Sequence, residues 1–400
     1  MTKYKKVVLA YSGGLDTSIA IRWLQENRAD EVVAVAIDLG QKEDLEFVRN
    51  KALKIGASQS FIVDARQEFC DEYIIPAIKA NAQYEFEYPL ATALARPLIA
   101  KKINQVALET GADSVAHGCT AKGNDQVRFE VSWKALNPKL NVIAPAREWG
   151  ALCDRGKAIE YAQTHNIPVG LSKKSPFSID LNLWGRSVEC GILEDPTVEP
   201  PEEVFALTKS LQEAPDKPTY LEIGFREGMP VSLDHEELKL YELIEKLNQI
   251  AGEHGIGRVD QLENRLVGIK SREVYEAPAA VVLLRAHREL EYMVNPKDLM
   301  HFKAGIDQKY GQLIYDGMWF SPFREALDGF IAKTQERVTG SVRMRLFKGS
   351  AAIVGRKSPY SLYQYHLATY DQADQFDHTA APGFINLYSL GLKTYYEVSP

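Results

Sequence analysis

Through roughly the first third of the chain, short apolar runs alternate with longer amphipathic stretches. Residues 7–10, 31–39, 61–64, 114–116 and 142–144 read as buried strands. Residues 16–27, 42–55, 67–79, 92–109 and 154–165 carry apolar side chains at helical spacing and end at or near Gly, Asn or Asp, which predicts helices between and after those strands. This strand–helix alternation implies a parallel sheet covered on both faces, and such sheets bind ligands beyond the carboxyl ends of their strands.

Past residue 168 the pattern changes. Residues 173–182 form a polar, Ser-containing stretch, 194–203 is rich in Pro and Glu, and 214–218 holds two prolines; all three read as loops. Two hairpins are predicted, 219–225 with 229–233 around Arg226-Glu-Gly, and 341–347 with 351–355 around Lys348-Gly-Ser. Helical patterns at 235–251, 278–292 and 301–331 complete a second, α+β domain. The expected division is 1–168 and 169–400, with no fixed-period repeat. Aromatic residues crowd 359–370 and 383–396, a pattern that suits either a packed extension or a subunit contact.

Composition narrows the class. The 400 residues, 45% hydrophobic and 25% charged, suffice for at least one substantial core and exclude a disordered chain or a stapled mini-domain. A net charge of −7 and a pI near 5.7 give no general attraction to nucleic acid or an anionic membrane. Cys70, Cys119, Cys153 and Cys190 are far apart and form no C-x-x-C pair, which points to a reducing cytoplasm rather than a disulfide framework or zinc knuckle. The apolar run after Met1 stops at Ser12-Gly-Gly, so it reads as a strand and not as a leader, and no stretch approaches the roughly 20 apolar residues that span a bilayer.

The first chemistry lies where the first strand meets the first helix, at Ala10-Tyr-Ser-Gly-Gly-Leu-Asp-Thr-Ser18. Two glycines bring backbone N–H groups close to an anion, hydroxyls of Ser12, Thr17 and Ser18 donate, and a helix N-terminus adds partial positive charge. The plain alternative is an ordinary turn capped by Asp16 or Thr17. Neither G-x-x-x-x-G-K-[ST] nor G-x-G-x-x-G is present here. The loop resembles that of the adenine-nucleotide α-hydrolase-like ATP pyrophosphatases, a Rossmann-like group that cleaves ATP between its α and β phosphates.

A second constellation, His117-Gly-Cys-Thr-Ala-Lys-Gly-Asn-Asp-Gln-Val-Arg-Phe-Glu130, follows the fourth strand. Thr120, Asn124, Asp125 and Arg128 offer a hydroxyl, an amide, a carboxylate and a guanidinium, a set suited to an amino-acid zwitterion.

Together the two segments resemble the argininosuccinate synthase family. The likeness continues in order through Ile37-Asp-Leu-Gly-Gln-Lys-Glu-Asp44, Thr92-Ala-Leu-Ala-Arg-Pro97, Ser178-Ile-Asp, Asn182-Leu-Trp-Gly-Arg-Ser187 and Glu263-Asn-Arg265. It runs on through Ser271-Arg-Glu-Val-Tyr-Glu-Ala-Pro278, Ser321-Pro, Gln335-Glu-Arg-Val338 and Ser358-Pro-Tyr-Ser-Leu362.

The resemblance implies a ligase that condenses citrulline with aspartate at the expense of ATP, through citrullyl-AMP, giving argininosuccinate, AMP and diphosphate in arginine biosynthesis. Ala10, Tyr11, Ser12, Gly13, Gly14, Leu15, Asp16, Thr17, Ser18, Ile37 and Gly118 would hold ATP. Thr120, Asn124 and Asp125 would hold aspartate; Tyr88, Asn124, Arg128, Ser178, Ser187, Glu263 and Tyr275 would hold citrulline. Mg2+ would arrive bound to ATP with Asp16 helping to organise it, Asp125 would orient the attacking amine, and no separate metal site is expected. A homotetramer with a C-terminal arm is also implied. Another adenylating enzyme with the same loop and a different acceptor is the alternative.

Three positions depart from the family pattern: Ala91 and Ala121 replace common glycines, and Leu181 replaces a usual acidic residue. If position 121 required positive φ, alanine would cost about 1 kcal/mol there. Cys119 is expected to pack rather than act as a nucleophile.

Overall fold

The structure, a computed structural model, describes residues 2–168 and 177–398. Five parallel strands, β1 (Tyr4–Ala10), β2 (Ala29–Asp38), β3 (Gln59–Asp64), β4 (Ser114–Ala116) and β5 (Asn141–Ile143), form one sheet in the order β3-β2-β1-β4-β5. Alternate side chains feed two cores. Val7, Leu9, Val32, Ala34 and Ala36 face α1 (Leu15–Asn27), α2 (Leu45–Ile55) and α5 (Arg155–Thr164), whereas Val8, Val33, Val35 and Ile37 face α3 (Ala91–Thr110) and α4 (Asp125–Leu136). The strand order reverses between β1 and β4, which leaves a crevice beyond their carboxyl ends, bounded by the segments 11–14 and 117–124.

The remaining strands form two antiparallel sheets. β6 (Ser178–Asn182), β7 (Gly185–Glu189), β11 (Arg258–Asn264) and β12 (Lys270–Glu276) lie in the order β11-β12-β7-β6. β8 (Thr219–Arg226), β9 (Met229–Leu233), β10 (Glu236–Glu237), β13 (Gly340–Phe347) and β14 (Ser350–Lys357) form the other, containing both predicted hairpins. Helices α6 (Leu240–Glu253), α7 (Pro278–Val294), α8 (Lys297–Tyr315) and α9 (Pro322–Gln335) complete this part of the chain.

Several boundaries differ from expectation. The polar stretch 173–182 is not all loop: residues 177–182 include β6, while 173–176 lie outside the described residues. The predicted helix at 235–251 starts only at Leu240, after the short strand β10. The predicted helix at 301–331 is two helices, α8 and α9. Gly317 sits in the break with φ +75°, and a Cβ there would come within 2.9 Å of the Arg128 Cα, so the break seats this turn against α4. The predicted helix at 67–79 contains a π-helical turn over Phe69–Ile74.

The aromatic C-terminal stretch is anchored near its start, where the Leu362 N–H donates to the Met293 carbonyl at 2.9 Å, and buries little beyond that. Its helices Tyr365–Ala368, Ala381–Tyr388 and Leu390–Val398 bury no residue, and Tyr370, Leu387, Tyr388 and Tyr396 are exposed. Among the described residues no helix is long and apolar enough to cross a membrane.

Candidate active site

A cleft of about 830 Å³ opens at the β1/β4 reversal and runs onto the sheet that contains β6, β7, β11 and β12. Of the residues predicted from sequence, all line it except Ser18. Ser18 lies on the first turn of α1, turned toward the sheet: it is fully buried, its N–H donates to the Gly14 carbonyl at 3.0 Å, and its hydroxyl meets that of Tyr11 at 3.2 Å. Neither of its donors faces the cleft.

Helix α1 has Gly14 as its N-cap, with φ −68° and ψ 174° and no side-chain cap. Asp16 or Thr17 capping is therefore not what shapes the turn. The N–H groups of Leu15, Asp16 and Thr17 precede the first intrahelical bond, which Ser18 makes to Gly14, and their partial positive charge suits an anion. Ile37 and Gly118 flank this end of the cleft.

The opposite wall follows from strand alternation. Ser178 and Asp180 on β6, Ser187 and Glu189 on β7, Glu273 and Tyr275 on β12, and Glu263 on β11 all line the cleft, and Asp180, Ser187 and Tyr275 are neighbours across three strands. Val188 and Val274 point the other way into a small apolar cluster.

Between the walls lies a dense polar centre. Asp125 accepts from Arg96 Nε at 2.9 Å through one oxygen and from Arg128 Nη1 at 2.9 Å through the other. Burial pushes its carboxyl up, but the two guanidinium charges outweigh burial and hold the pKa below the ordinary value. Arg96 also binds Asp180, so it ties helix α3 to β6. Arg128 Nε donates to the Tyr315 carbonyl at 2.9 Å, while its Nη2 is buried with no protein partner among the described residues. Asn124 donates to the Tyr315 hydroxyl at 2.8 Å and accepts from the Leu266 N–H at 3.0 Å, which leaves one donor and one lone pair of its amide.

Tyr275 and Tyr315 both donate to Glu263, at 2.7 and 2.5 Å. Burial raises the Glu263 pKa, with these hydrogen bonds and the charges of Arg128 and Arg265 offsetting part of the rise. Tyr88 stacks on Tyr275 with ring centroids 3.8 Å apart, and Tyr84 stacks on Tyr315 at 3.5 Å. Ser187 meets Thr92 at 3.3 Å; Thr120 and Ser178 are exposed at the cleft surface.

Ala121 does not have positive φ, so the strain that positive φ would bring is absent; at the other departure, the left-handed residue is Leu90, φ +69°, immediately before Ala91. Burial raises the Cys119 thiol, which suits packing and not nucleophilic attack. Leu181 lines the cleft beside Asp180. Sequence reasoning missed Lys51, Arg96, Asp180, Glu189, Glu273 and Tyr315. Arg96, Asp180 and Glu273 fell inside stretches that carried the resemblance, but their contacts are made only by the fold.

The family model described as "Arginosuccinate synthase N-terminal HUP domain" matches residues 6–168, and that described as "Arginosuccinate synthase C-terminal domain" matches residues 177–395. The chain belongs to the argininosuccinate synthase family. It is 62% identical over 392 residues to the argininosuccinate synthase of Symbiobacterium thermophilum, covering 98% of this chain and 97% of that one. The argininosuccinate synthase of Halalkalibacterium halodurans is 56% identical over 98% of this chain and 95% of its own length, and that of a Synechococcus strain is 57% identical over 100% and 98%. Argininosuccinate synthase relatives thus align with both the phosphate-loop side and the amino-acid side of the cleft.

Proposed function

We propose that this cleft joins citrulline to aspartate with ATP, forming argininosuccinate, AMP and diphosphate for arginine biosynthesis in the cytoplasm. The observation that carries this reading is the single continuous cleft, with an anion-binding helix terminus at one end and the Arg128, Asn124, Asp125 and Glu263 centre at the other. In this reading residues 1–168 bring the ATP half, and the chain from 169 brings the second wall and the arm.

A ureido carbon is a poor electrophile because two nitrogens donate into its carbonyl and no group is ready to leave. The citrulline ureido oxygen attacks the α-phosphorus of ATP, the α–β phosphoanhydride bond breaks, and diphosphate departs with the bridging oxygen. The amine of aspartate then attacks the activated carbon, loses a proton, and AMP leaves with the former ureido oxygen. Holding three reactants in line supplies much of the rate, because bound groups act at high effective concentration.

The residues divide the work. The α1 terminus and the Ser12 and Thr17 hydroxyls receive the phosphates, with Ile37 and Gly118 beside the nucleotide. Arg128 Nη2, an unpaired buried donor, takes a substrate carboxylate. Tyr88, Ser178, Ser187, Glu263 and Tyr275 hold citrulline; Thr120, Asn124 and Asp125 hold aspartate. Mg2+ carried with ATP would neutralise charge on the departing diphosphate, and Asp16 offers at the loop the hard oxygen that such an ion prefers.

A citrulline preparation carrying heavy oxygen in its ureido group tests the first step. Label appearing in AMP supports the adenylated intermediate; label retained in argininosuccinate contradicts it. Tyr315→Phe removes the hydroxyl that links Glu263 with Asn124 while keeping the stacked ring and the backbone carbonyl that Arg128 uses. Steady-state kinetics should show KM for citrulline raised about tenfold, the loss of about 1.4 kcal/mol, with KM for ATP unchanged.

The exposed arm supports a homotetramer, since an apolar surface of this kind requires a partner. Light scattering on a chain truncated before Gly383 should show the tetramer lost; an intact tetramer would exclude an essential arm.

A further inference from the structure

We infer that Lys51 is a phosphate-binding residue of this site, the cation that holds the β- and γ-phosphates of ATP and then the diphosphate product. The assignment rests on the ATP reading above and adds a residue to it that lies outside the phosphate loop.

The loop itself is short of positive charge. From Ala10 to Ser18 the only charged side chain is Asp16, and the sequence lacks the lysine with which a Walker loop meets its phosphates. Backbone dipoles and hydroxyls alone face a ligand that bears several negative charges. A cation from another element completes the site.

Lys51 fits that need by position. It projects from α2 back to the loop after β1, where its ammonium donates to the Gly13 carbonyl at 2.6 Å. It lines the same cleft as Ser12, Gly14 and Thr17, yet the residue is only 8% exposed. Burying an ammonium is costly unless an anion answers it. Among the described residues the other buried lysine shows the usual solution: Lys303 is held by Glu291 at 3.0 Å and Asp307 at 2.7 Å. Lys51 has a neutral carbonyl instead. Burial alone pushes its pKa down, and no carboxylate among the described residues raises it again. An ammonium has three donors, and the Gly13 carbonyl takes one; phosphate oxygens in the cleft supply both the remaining acceptors and the missing charge.

The role differs from scaffolding. If Lys51 served only to brace Gly13, its loss would disturb the whole nucleotide loop, and AMP would suffer along with diphosphate. If it binds phosphate, only ligands with the β-phosphate would suffer.

Calorimetric titration of the full-length protein with inorganic diphosphate, ATP and AMP separates these cases. Lys51→Met should weaken diphosphate and ATP at least about tenfold and leave AMP within about twofold, while Lys51→Arg, which keeps the charge, should recover diphosphate binding to within about threefold of the parent. Intact AMP binding also shows that the variant is folded. Parent-like diphosphate affinity in Lys51→Met, or an equal loss of AMP and diphosphate in both variants, would overturn the assignment. Failure of the parent protein to bind either ATP or diphosphate would instead overturn the ATP reading on which the assignment rests.

Discussion

Gly14→Val is expected to give a folded protein that does not bind ATP. The backbone at Gly14 has φ −68° and ψ 174°, which any L-residue adopts, and an added Cβ would meet only the Ser12 hydroxyl oxygen, at 3.4 Å. The fold therefore tolerates the branched side chain. The ligand does not, because the isopropyl group stands over the N-terminus of α1, where phosphate oxygens must come within hydrogen-bond distance of backbone N–H groups.

The expected loss of ATP affinity exceeds about a hundredfold, or about 2.7 kcal/mol, with a melting temperature close to that of the parent. Gly13→Val provides the contrast. Its φ of +76° is strained for valine, and the new Cβ would lie 3.0 Å from a Val48 methyl, so that variant should lose stability as well as binding. Calorimetric titration and thermal melting of the two variants distinguish an obstructed site from a damaged fold. Undiminished ATP affinity in Gly14→Val would remove the phosphate from this loop.

Asp125→Asn is expected to bind ATP within about threefold of the parent and to turn over at least about a hundredfold more slowly, a loss of the size seen when one preorganised charged contact is removed from a site. The carboxylate links Arg96 to Arg128, and an amide cannot accept from both with full charge. Arg96 keeps Asp180 and Arg128 keeps the Tyr315 carbonyl, so the scaffold retains contacts that hold the fold. What disappears, in the proposed role, is the negative charge that would face the amine of aspartate.

The sign of the titration bears on mechanism. With its pKa held below the ordinary carboxylate value, Asp125 stays ionised through the neutral and mildly acidic range; in the proposed role it would orient the amine as a fixed acceptor and be a poor store for the proton that must leave. Unchanged turnover at saturating aspartate would eliminate this role.

The parallel-sheet half was readable in the sequence because its strands are covered on both faces. Val7, Val8 and Leu9 are all buried, so the run stands out from its neighbours, and the helices between the strands show their own spacing. The sheet of β6, β7, β11 and β12 was not readable. Its cleft face is made of Ser187, Glu189, Glu263, Glu273 and Tyr275, and its other face has only isolated apolar positions such as Val188 and Val274. A strand that presents a polar binding wall looks like a loop when hydrophobic alternation is the signal.

The site residues divide in the same way. The loop from Ala10 to Thr17 and the segment from Thr120 to Arg128 are local, and their chemistry is visible in consecutive letters. Lys51 shares its helix with two other cations, Arg49 and Lys54, and Tyr315 resembles any aromatic near the end of a helix. Each acquires meaning only when the fold brings it to Gly13, or to Glu263 and Asn124. Ser18 shows the reverse: it belongs to the motif in sequence, but the helical turn carries it away from the cleft.

The most direct test of the central claim incubates the pure protein with ATP, Mg2+, citrulline and aspartate, omits each amino acid in turn, and quantifies AMP, ADP, diphosphate and argininosuccinate. Equal amounts of AMP, diphosphate and argininosuccinate are expected in the complete mixture, and no argininosuccinate when either amino acid is missing. A folded protein that binds ATP yet forms no argininosuccinate in the complete mixture would contradict the claim and direct attention to a different acceptor for the same adenylating loop.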